Sequence, residues 1–460
     1  MRRNYRTYYI WIACLVITQV ACNKDYLDKK PNSGIVVPKT LDDFQRLLDN
    51  QSIMTVTPAL GLLSSDDTYF INDQAWQAST TTERNAYVWA PDVFEGVKNI
   101  EDWNGPYKAI FYSNIILAGV DDAAAKNGST SDWDQIKGAA LFTRAFANYG
   151  LLDCFSLPYD SITANDDLGI PIRLSANVDE IVQRSTVAKG YEQVIADVQQ
   201  ALPLLPAVLP PSNRNRPSKP AGYALLSRIY ISMRRYDKAE LYADSALALY
   251  NKLIDYNTVS LTSTTPFTIN NDETIIRYTV VNTYPSLSIS SVTTLIDSNL
   301  VKEYKTNDLR KSIYFRAITG GVGIKRGYAG NGTAAFTGLA TDELFLIKAE
   351  CLARRNAFTQ AMTTLNNLLI KRYKTNLFIA ATANNASEAL TVILKERQKE
   401  LVFRGLRWSD VRRLNKEGAN ISMKRFINAT SIELPPNSPK YAMPIPDDEI
   451  SSSGVQQNPR

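Results

Sequence analysis

The stretch that most restricts the fold runs from Leu390 to Leu414: Leu-Thr-Val-Ile-Leu-Lys-Glu-Arg-Gln-Lys-Glu-Leu-Val-Phe-Arg-Gly-Leu-Arg-Trp-Ser-Asp-Val-Arg-Arg-Leu. A helical period puts Leu390, Ile393, Leu394, Arg397 and Leu401 on one face. Arg397 therefore lies on the apolar stripe, where a charge needs a partner. Glu396 and Glu400 are the carboxylates in sequence reach. Gly405 offers the left-handed conformation that ends a helix, and Ser409 can cap the next one. These charges read as structural, because buried ion pairs fix geometry more often than they perform chemistry.

Helical pairs precede this stretch and carry an internal repeat. Tyr223-Ala224-Leu225, Ile229-Tyr230, Tyr236, Ala239, Tyr242, Ala243 and Ala246-Leu247 follow the small/large spacing of a tetratricopeptide unit. Asp237 and Glu240 predict a capping box for its second helix. Leu344, Ile347, Ala349, Leu352-Ala353, Phe358, Ala361 and Leu365 form a second copy. Ala139 to Leu152 reads as a helix whose mate, Thr186 to Leu202, is displaced by an insertion, and Glu388 to Lys416 supplies a fourth pair. Small residues at the crossings let such pairs stack into a curved solenoid. The fold class expected is mainly α: a tetratricopeptide-like helical-repeat scaffold with a loop-rich, partly β half.

Composition narrows the chemistry. The chain has 460 residues, 45% hydrophobic and 21% charged, and its net charge of +5 includes Arg2, Arg3 and Arg6 at the extreme N-terminus. That balance suits a globular protein and excludes a nucleic-acid binder, because no basic stripe occurs elsewhere. There is no histidine. A Ser-His-Asp triad, a Cys-His pair and a histidine-ligated metal are all ruled out. The four cysteines, Cys14, Cys22, Cys154 and Cys351, form no C-x-x-C pair, so nothing supports a structural zinc site, and with most enzyme mechanisms removed the expectation is no metal, no cofactor and no catalytic residue. Cys154 and Cys351 read as buried and inert.

Arg2, Arg3 and Arg6 precede an apolar run from Tyr8 to Ile17 and then Thr18-Gln19-Val20-Ala21-Cys22. This is an export signal over residues 1–21, too short to span a bilayer. Cys22 after Ala21 fits lipidation in the manner of a bacterial lipobox, with Gln19 where Leu is usual; ordinary secretion with a plain thiol is the alternative. Two or more acyl chains on Cys22 give stable anchoring. Pro31 to Pro38 reads as a tether leading into a helix from Leu41 to Leu48.

Residues 51–105 show little helical period but hold Trp76, Trp89 and Trp103 together with Tyr69, Phe70, Tyr87 and Phe94, and Asp66-Asp67 stands beside Tyr69. Aromatic faces stack on sugar rings, and carboxylates bond hydroxyls. A second loop-rich segment, about residues 252–340, has short alternating runs such as Thr274 to Val281, and loops of this length usually bind something. Tyr284, Tyr304, Tyr314 and Tyr328 either extend the aromatic surface or pack inside. Gly320, Gly321, Gly323 and Gly327 fail the dinucleotide fingerprint, since Arg326 stands where glycine is required; a flexible loop is expected. The last ten residues, Ser451 to Arg460, read as frayed.

Several motifs in order resemble the SusD/RagB family. They are the opening Cys22-Asn-Lys-Asp-Tyr-Leu-Asp28, the Trp103…Tyr107…Ile110…Asn114 helix running to Val120, and the stretch Glu396-Arg397, Glu400-Leu401, Gly405, Arg407-Trp408, Asp410, Arg412-Arg413. The closing Pro444-Ile-Pro446 before Asp447-Asp448-Glu449 completes the series. Arg404 stands where the family carries Glu before the glycine.

The resemblance implies residues 22–250 as an N-terminal SusD-like region and residues 251–460 as the C-terminal SusD/RagB region. It further implies a non-catalytic, surface-exposed lipoprotein of the outer membrane, attached through its lipid anchor. Such a protein binds an oligosaccharide or other nutrient and delivers it to a SusC-like TonB-dependent transporter. The solenoid would dock on the transporter and the loop-rich half would hold ligand. Asp66, Asp67, Tyr69, Trp76, Tyr87, Trp89 and Tyr284 are the candidate ligand residues. One alternative is a lipid-anchored scaffold binding only protein partners. Another is a glycosidase using Asp66 and Asp67, disfavoured because adjacent carboxylates rarely face one bond from opposite sides.

Overall fold

The computed structural model describes residues 38–460. The export signal, Cys22 and the tether up to residue 37 lie outside the described residues. Helices of eight residues or more are numbered here. α1 (Leu41–Leu48) has the expected bounds, and Thr40 and Asp43 cap each other's backbone N–H groups at its start. Short helices follow at Gln51–Met54, Leu60–Ser64, Asp73–Gln77 and Thr81–Tyr87.

The scaffold then builds up as α2 (Glu101–Asn127), α3 (Ser131–Phe155), α4 (Val187–Ala201), α5 (Lys219–Ser232), α6 (Tyr236–Leu249), α7 (Thr341–Arg354), α8 (Phe358–Leu369), α9 (Ala386–Glu400) and α10 (Arg407–Asn415). Each helix from α2 to α6 packs on the next, α6 packs on α7, and α7 carries α8 and α9. α4 is the mate of α3 despite the insertion between them. Gly190 permits that approach, since a Cβ there would sit 2.7 Å from Leu152 Cδ2. α3 is buried on nearly every side, as the middle layer of a stack must be.

Among the described residues every sheet has two strands. Thr68–Phe70 pairs antiparallel with Thr294–Ile296, setting Tyr69 opposite Leu295, and Val56–Thr57 pairs parallel with Thr279–Val280. These ladders tie residues 51–105 to residues 252–340. A hairpin of Met423–Ile427 with Thr430–Leu434 completes the part relevant to the site.

Several local expectations are corrected. Arg397 bonds Asp410 at 2.8 Å, not Glu396 or Glu400, because the turn at 401–405 brings the first turn of α10 against α9. Ser409 does not cap α10, which starts at Arg407 after Leu406 with no side-chain cap. Asp237 and Glu240 form no capping box, since α6 begins at Tyr236 and Asp237 already lies inside it. α9 and α10 are not a repeat pair of the earlier kind: α9 packs on α7 and α8, while α10 packs on the Leu60–Ser64 helix and α5. Gly320 to Gly323 belong to a hairpin of Phe315–Ile318 with Gly321–Ile324, with Gly320 at φ +83° in the turn. The C-terminus is docked, not frayed: Asn458 donates to Phe155 O (2.8 Å) and Met443 O (2.6 Å), and Arg460 to Ala90 O.

The charges around α9 form a buried network. Arg310 reaches Asp308 (2.7 Å), Glu396 (2.7 Å) and Glu400 (3.0 Å). Arg372 joins Glu400 (2.7 Å) to Glu273 (2.8 Å), and Arg413 joins Asp410 to Glu350. Arg404, in the family's Glu position, pairs with Asp342 at 3.0 Å and lies over the Tyr328 and Phe336 rings.

Candidate functional site

The candidate residues separate into an internal and an accessible group. Asp66 takes both Arg407 donors at 2.6 and 2.8 Å. Burial pushes its carboxyl up, but Arg407 outweighs burial and holds it below the ordinary value. Asp67 is buried and accepts Phe403 N–H at 3.1 Å; burial, then the charge of Asp66, raises its pKa to about 7. The two carboxylates thus brace the turn between α9 and α10.

Trp89 is 2% exposed, and its indole N–H donates to Ser64 O at 3.0 Å. Tyr87 is buried edge-on against Phe70, 4.9 Å between ring centroids. Arg425 lies over both rings, 4.2 Å from Tyr87 and 5.1 Å from Trp89, and bonds the Ser65 and Tyr87 carbonyls. Tyr284 is also internal: its hydroxyl donates to Asp102 at 2.6 Å, while Asp102 caps the Leu60–Ser64 helix through Ala59 and Leu60 N–H. Tyr304 and Tyr328 are buried as well.

Tyr69 and Trp76 remain partly accessible. They pack on a small cluster whose buried members are Phe70, Tyr87 and Ile427. The Trp76 indole N–H is satisfied by Arg84 O at 3.2 Å, so what the side chain offers outward is ring surface. The Met423–Leu434 hairpin backs this cluster through Ile427 and Ile432, and Asn428 N–H donates to Asp73 at 2.9 Å. Its Phe426, 72% exposed, went unnoticed in the sequence, although the alternation of Met423 to Ile427 before Asn428 is a hairpin signal. Glu83 was missed too: it is buried, caps Thr80 and accepts both Ser286 donors, at 2.8 and 2.6 Å. It fixes the aromatic segment to the 284–288 turn.

Two family models match the chain. One, described as starch-binding associating with outer membrane, covers residues 25–231, and the other, the SusD family, covers residues 325–460. The chain belongs to the SusD family. SusD-like protein P2 of Formosa agariphila is 26% identical over 251 residues, which is 51% of this chain and 45% of that one, so the match spans less than half of that relative. Among solved structures, a SusD superfamily protein from Bacteroides thetaiotaomicron is 23% identical with a TM-score of 0.75, over 92% of this chain and 100% of that one. A putative sugar binding protein from Bacteroides vulgatus is 22% identical with a TM-score of 0.74, over 92% and 99%. These structures share the fold.

Within this SusD fold, one carboxylate group among the described residues is close enough to hold a cation: Glu273, Asp342 and Glu400. Arg372 bonds two of the three and Arg404 the third, so guanidinium charge already neutralises them. Cys154 and Cys351 are buried and unpaired, and burial pushes both thiols up. Among the described residues no helix is long and apolar enough to cross a membrane.

Proposed function

We propose that this SusD-family protein is a non-catalytic receptor at the outer surface of the outer membrane. It is held there by lipid on Cys22, binds an oligosaccharide nutrient and delivers it to a SusC-like TonB-dependent transporter. The observation that carries the binding step is the half-exposed Tyr69–Trp76 surface on a rigid backing of Phe70, Tyr87 and Arg425. A ring held by packing loses little entropy on stacking against a sugar. Asp66 and Asp67 are tied to Arg407 and Phe403 N–H, which leaves no pair of free carboxylates there for hydrolysis.

Binding to a panel of oligosaccharides, measured calorimetrically for wild type, Tyr69→Ala and Trp76→Ala, tests the site. A loss of about tenfold or more in each variant is expected; undiminished affinity in both removes this surface from the reading. Palmitate labelling of wild type against Cys22→Ser tests the anchor.

A second reading, a scaffold for protein partners, is favoured by the α3–α4 insertion. There Ile162, Leu174, Val178 and Ile181 are 84%, 51%, 69% and 64% exposed. Retrieval of a transporter by a variant with Ile162, Leu174 and Ile181 changed to Ser, with oligosaccharide binding unchanged, would show that they are not needed for docking.

A further inference from the structure

Away from the Tyr69–Trp76 surface, the N-terminal turns of α2 separate two grooves of about 310 Å3 each. The first lies against Tyr107 and Phe111, with Arg173 and Ser175 on the loop opposite; Glu449, which accepts the Trp103 indole N–H at 3.2 Å, also lines it and offsets the charge of Arg173. Tyr107 and Phe111 are four residues apart, about 6 Å along the helix, and so line one face. Tyr107 is fixed by its hydroxyl, which donates to Pro171 O at 2.8 Å. Arg173 is held only by the Asn177 and Glu180 carbonyls, at 3.3 and 2.8 Å, and has no carboxylate partner among the described residues.

The second groove lies between Gln51, Ser52, Arg277, Thr279 and Asn282. Arg277 donates from Nη1 to Gln51 Oε1 at 3.1 Å and makes no ion pair among the described residues. Its Nε is buried without a partner, so only the Nη groups can face the groove, and burial pushes the guanidinium below its ordinary value with no carboxylate to oppose the shift. This contrasts with the buried arginines of the α9 network, each of which meets a carboxylate. Glu101 also lines the groove, but Lys108, which lines the first groove, neutralises it at 3.1 Å. The Glu101–Lys108 pair is the ridge between the two grooves, and a chain-like ligand crossing it meets no net charge.

We infer that the two grooves form one track for an elongated acidic saccharide, with a sugar face against Tyr107 and Phe111 and a carboxylate or sulfate oxyanion on Arg277. The guanidinium supplies two parallel donors to an oxyanion, while Gln51, Ser52 and Asn282 bond ring hydroxyls. Aromatic surface in one groove, with amides and an uncompensated cation in the next across a neutral ridge, fit that ligand better than a neutral glucan, which needs no cation. The inference rests on the reading of the protein as a saccharide receptor, but it uses different residues from the Tyr69–Trp76 surface.

Calorimetric titration of the full chain with oligogalacturonate, a sulfated galactan oligosaccharide and a neutral galactan oligosaccharide tests it. Wild type should bind at least one acidic oligosaccharide, and Arg277→Gln should weaken that binding roughly tenfold. The neutral arm should be unchanged in Arg277→Gln and lowered by Tyr69→Ala and by Trp76→Ala. The carboxylated and sulfated arms identify which oxyanion is read. Phe111→Ala should weaken long acidic chains and spare disaccharides, which reach one groove only. Acidic binding undiminished in Arg277→Gln, or confined to the neutral oligosaccharide, overturns the track while leaving the receptor reading standing. Absence of binding to every saccharide overturns both. Unchanged thermal unfolding of each variant excludes misfolding as the cause of a loss.

Discussion

Around α9 the buried guanidiniums sit on carboxylates; around residues 64–89 the buried guanidinium, Arg425, sits on aromatic rings and carbonyls. The first arrangement pulls arginine pKa values up, as at Arg310 and Arg372, through neighbouring negative charge that outweighs burial. The second leaves Arg425 below its ordinary value, because burial dominates and no carboxylate meets it directly. One region is therefore a closed charge network in which every member needs the others. The other is an aromatic block that needs its arginine mainly for shape and two carbonyl bonds. The two should fail differently when cut.

The largest effect belongs to the charge network. Arg372→Met leaves the buried Glu273 with no guanidinium and Glu400 with Arg310 alone, since Arg372 bonds both at under 3 Å. We expect a loss of about 3–5 kcal/mol in denaturant unfolding. Arg425→Met leaves carbonyls, not charges, without donors, and should lose about 1–3 kcal/mol. Equal losses in the two variants would erase the distinction between the regions.

Next comes a pair of tryptophans. Trp89→Ala empties a fully packed site and should destabilise by about 3–5 kcal/mol. Trp76→Ala removes a half-exposed ring and should lose no more than about 2 kcal/mol, with its main consequence in ligand binding. A Trp76 variant as unstable as the Trp89 variant would make Trp76 a core residue.

These two tryptophans show where sequence reading stops. Both stand in the same loop-rich, aromatic stretch, and nothing local distinguishes Trp89, whose N–H finds Ser64 O, from Trp76, whose N–H finds Arg84 O. The difference is made by distant chain: Trp89 packs into the main core, with Arg425, more than three hundred residues on, over its ring, whereas Trp76 packs on a small cluster at its edge. Arg397 teaches the same lesson: its need for a partner follows from helical period alone, but the choice of Asp410 depends on how the chain turns at 401–405. The scaffold was legible because its signals are local: α1 at Leu41–Leu48, and α3 with its mate α4, follow from apolar spacing. The short ladders tying 68–70 to 294–296 carry too few residues to announce their register.

Asp67 joins the two regions, since it lies beside the aromatic segment and bonds the α9–α10 turn through Phe403 N–H. Its folded pKa of about 7 lies above the unfolded carboxyl value, so the folded state binds the proton more tightly. The stability from this group is full below about pH 4 and is lost as pH rises towards 7. Asp67→Asn removes that dependence while keeping an acceptor for Phe403 N–H. We expect the variant to gain on wild type between pH 5 and 8 by up to a few kcal/mol, read from urea midpoints across that window. A constant difference across the window would mean that Asp67 does not change its protonation there.

The smallest expected effect concerns the turn that makes the charge network possible. Gly405 has φ +72°, and a Cβ there would meet Cγ2 of Thr337 at 3.0 Å, a buried β-branched side chain whose hydroxyl is bonded to that of Thr57 at 2.7 Å. Thr337 must give by a few tenths of an ångström, a small addition to the left-handed backbone penalty of about 1–2 kcal/mol for Gly405→Ala. Phe403 already holds φ +60° in the same turn, which shows that the surrounding contacts sustain one such residue. Asp67 pins Phe403 N–H, whereas Gly405 has no comparable clamp, so the second strained residue should loosen the turn. The expected readout is faster amide exchange confined to residues 401–406, with α9 and α10 protected as before. Exchange spreading into both helices would mean that the turn and the charge network open as one unit, and that the network owes its geometry to this glycine.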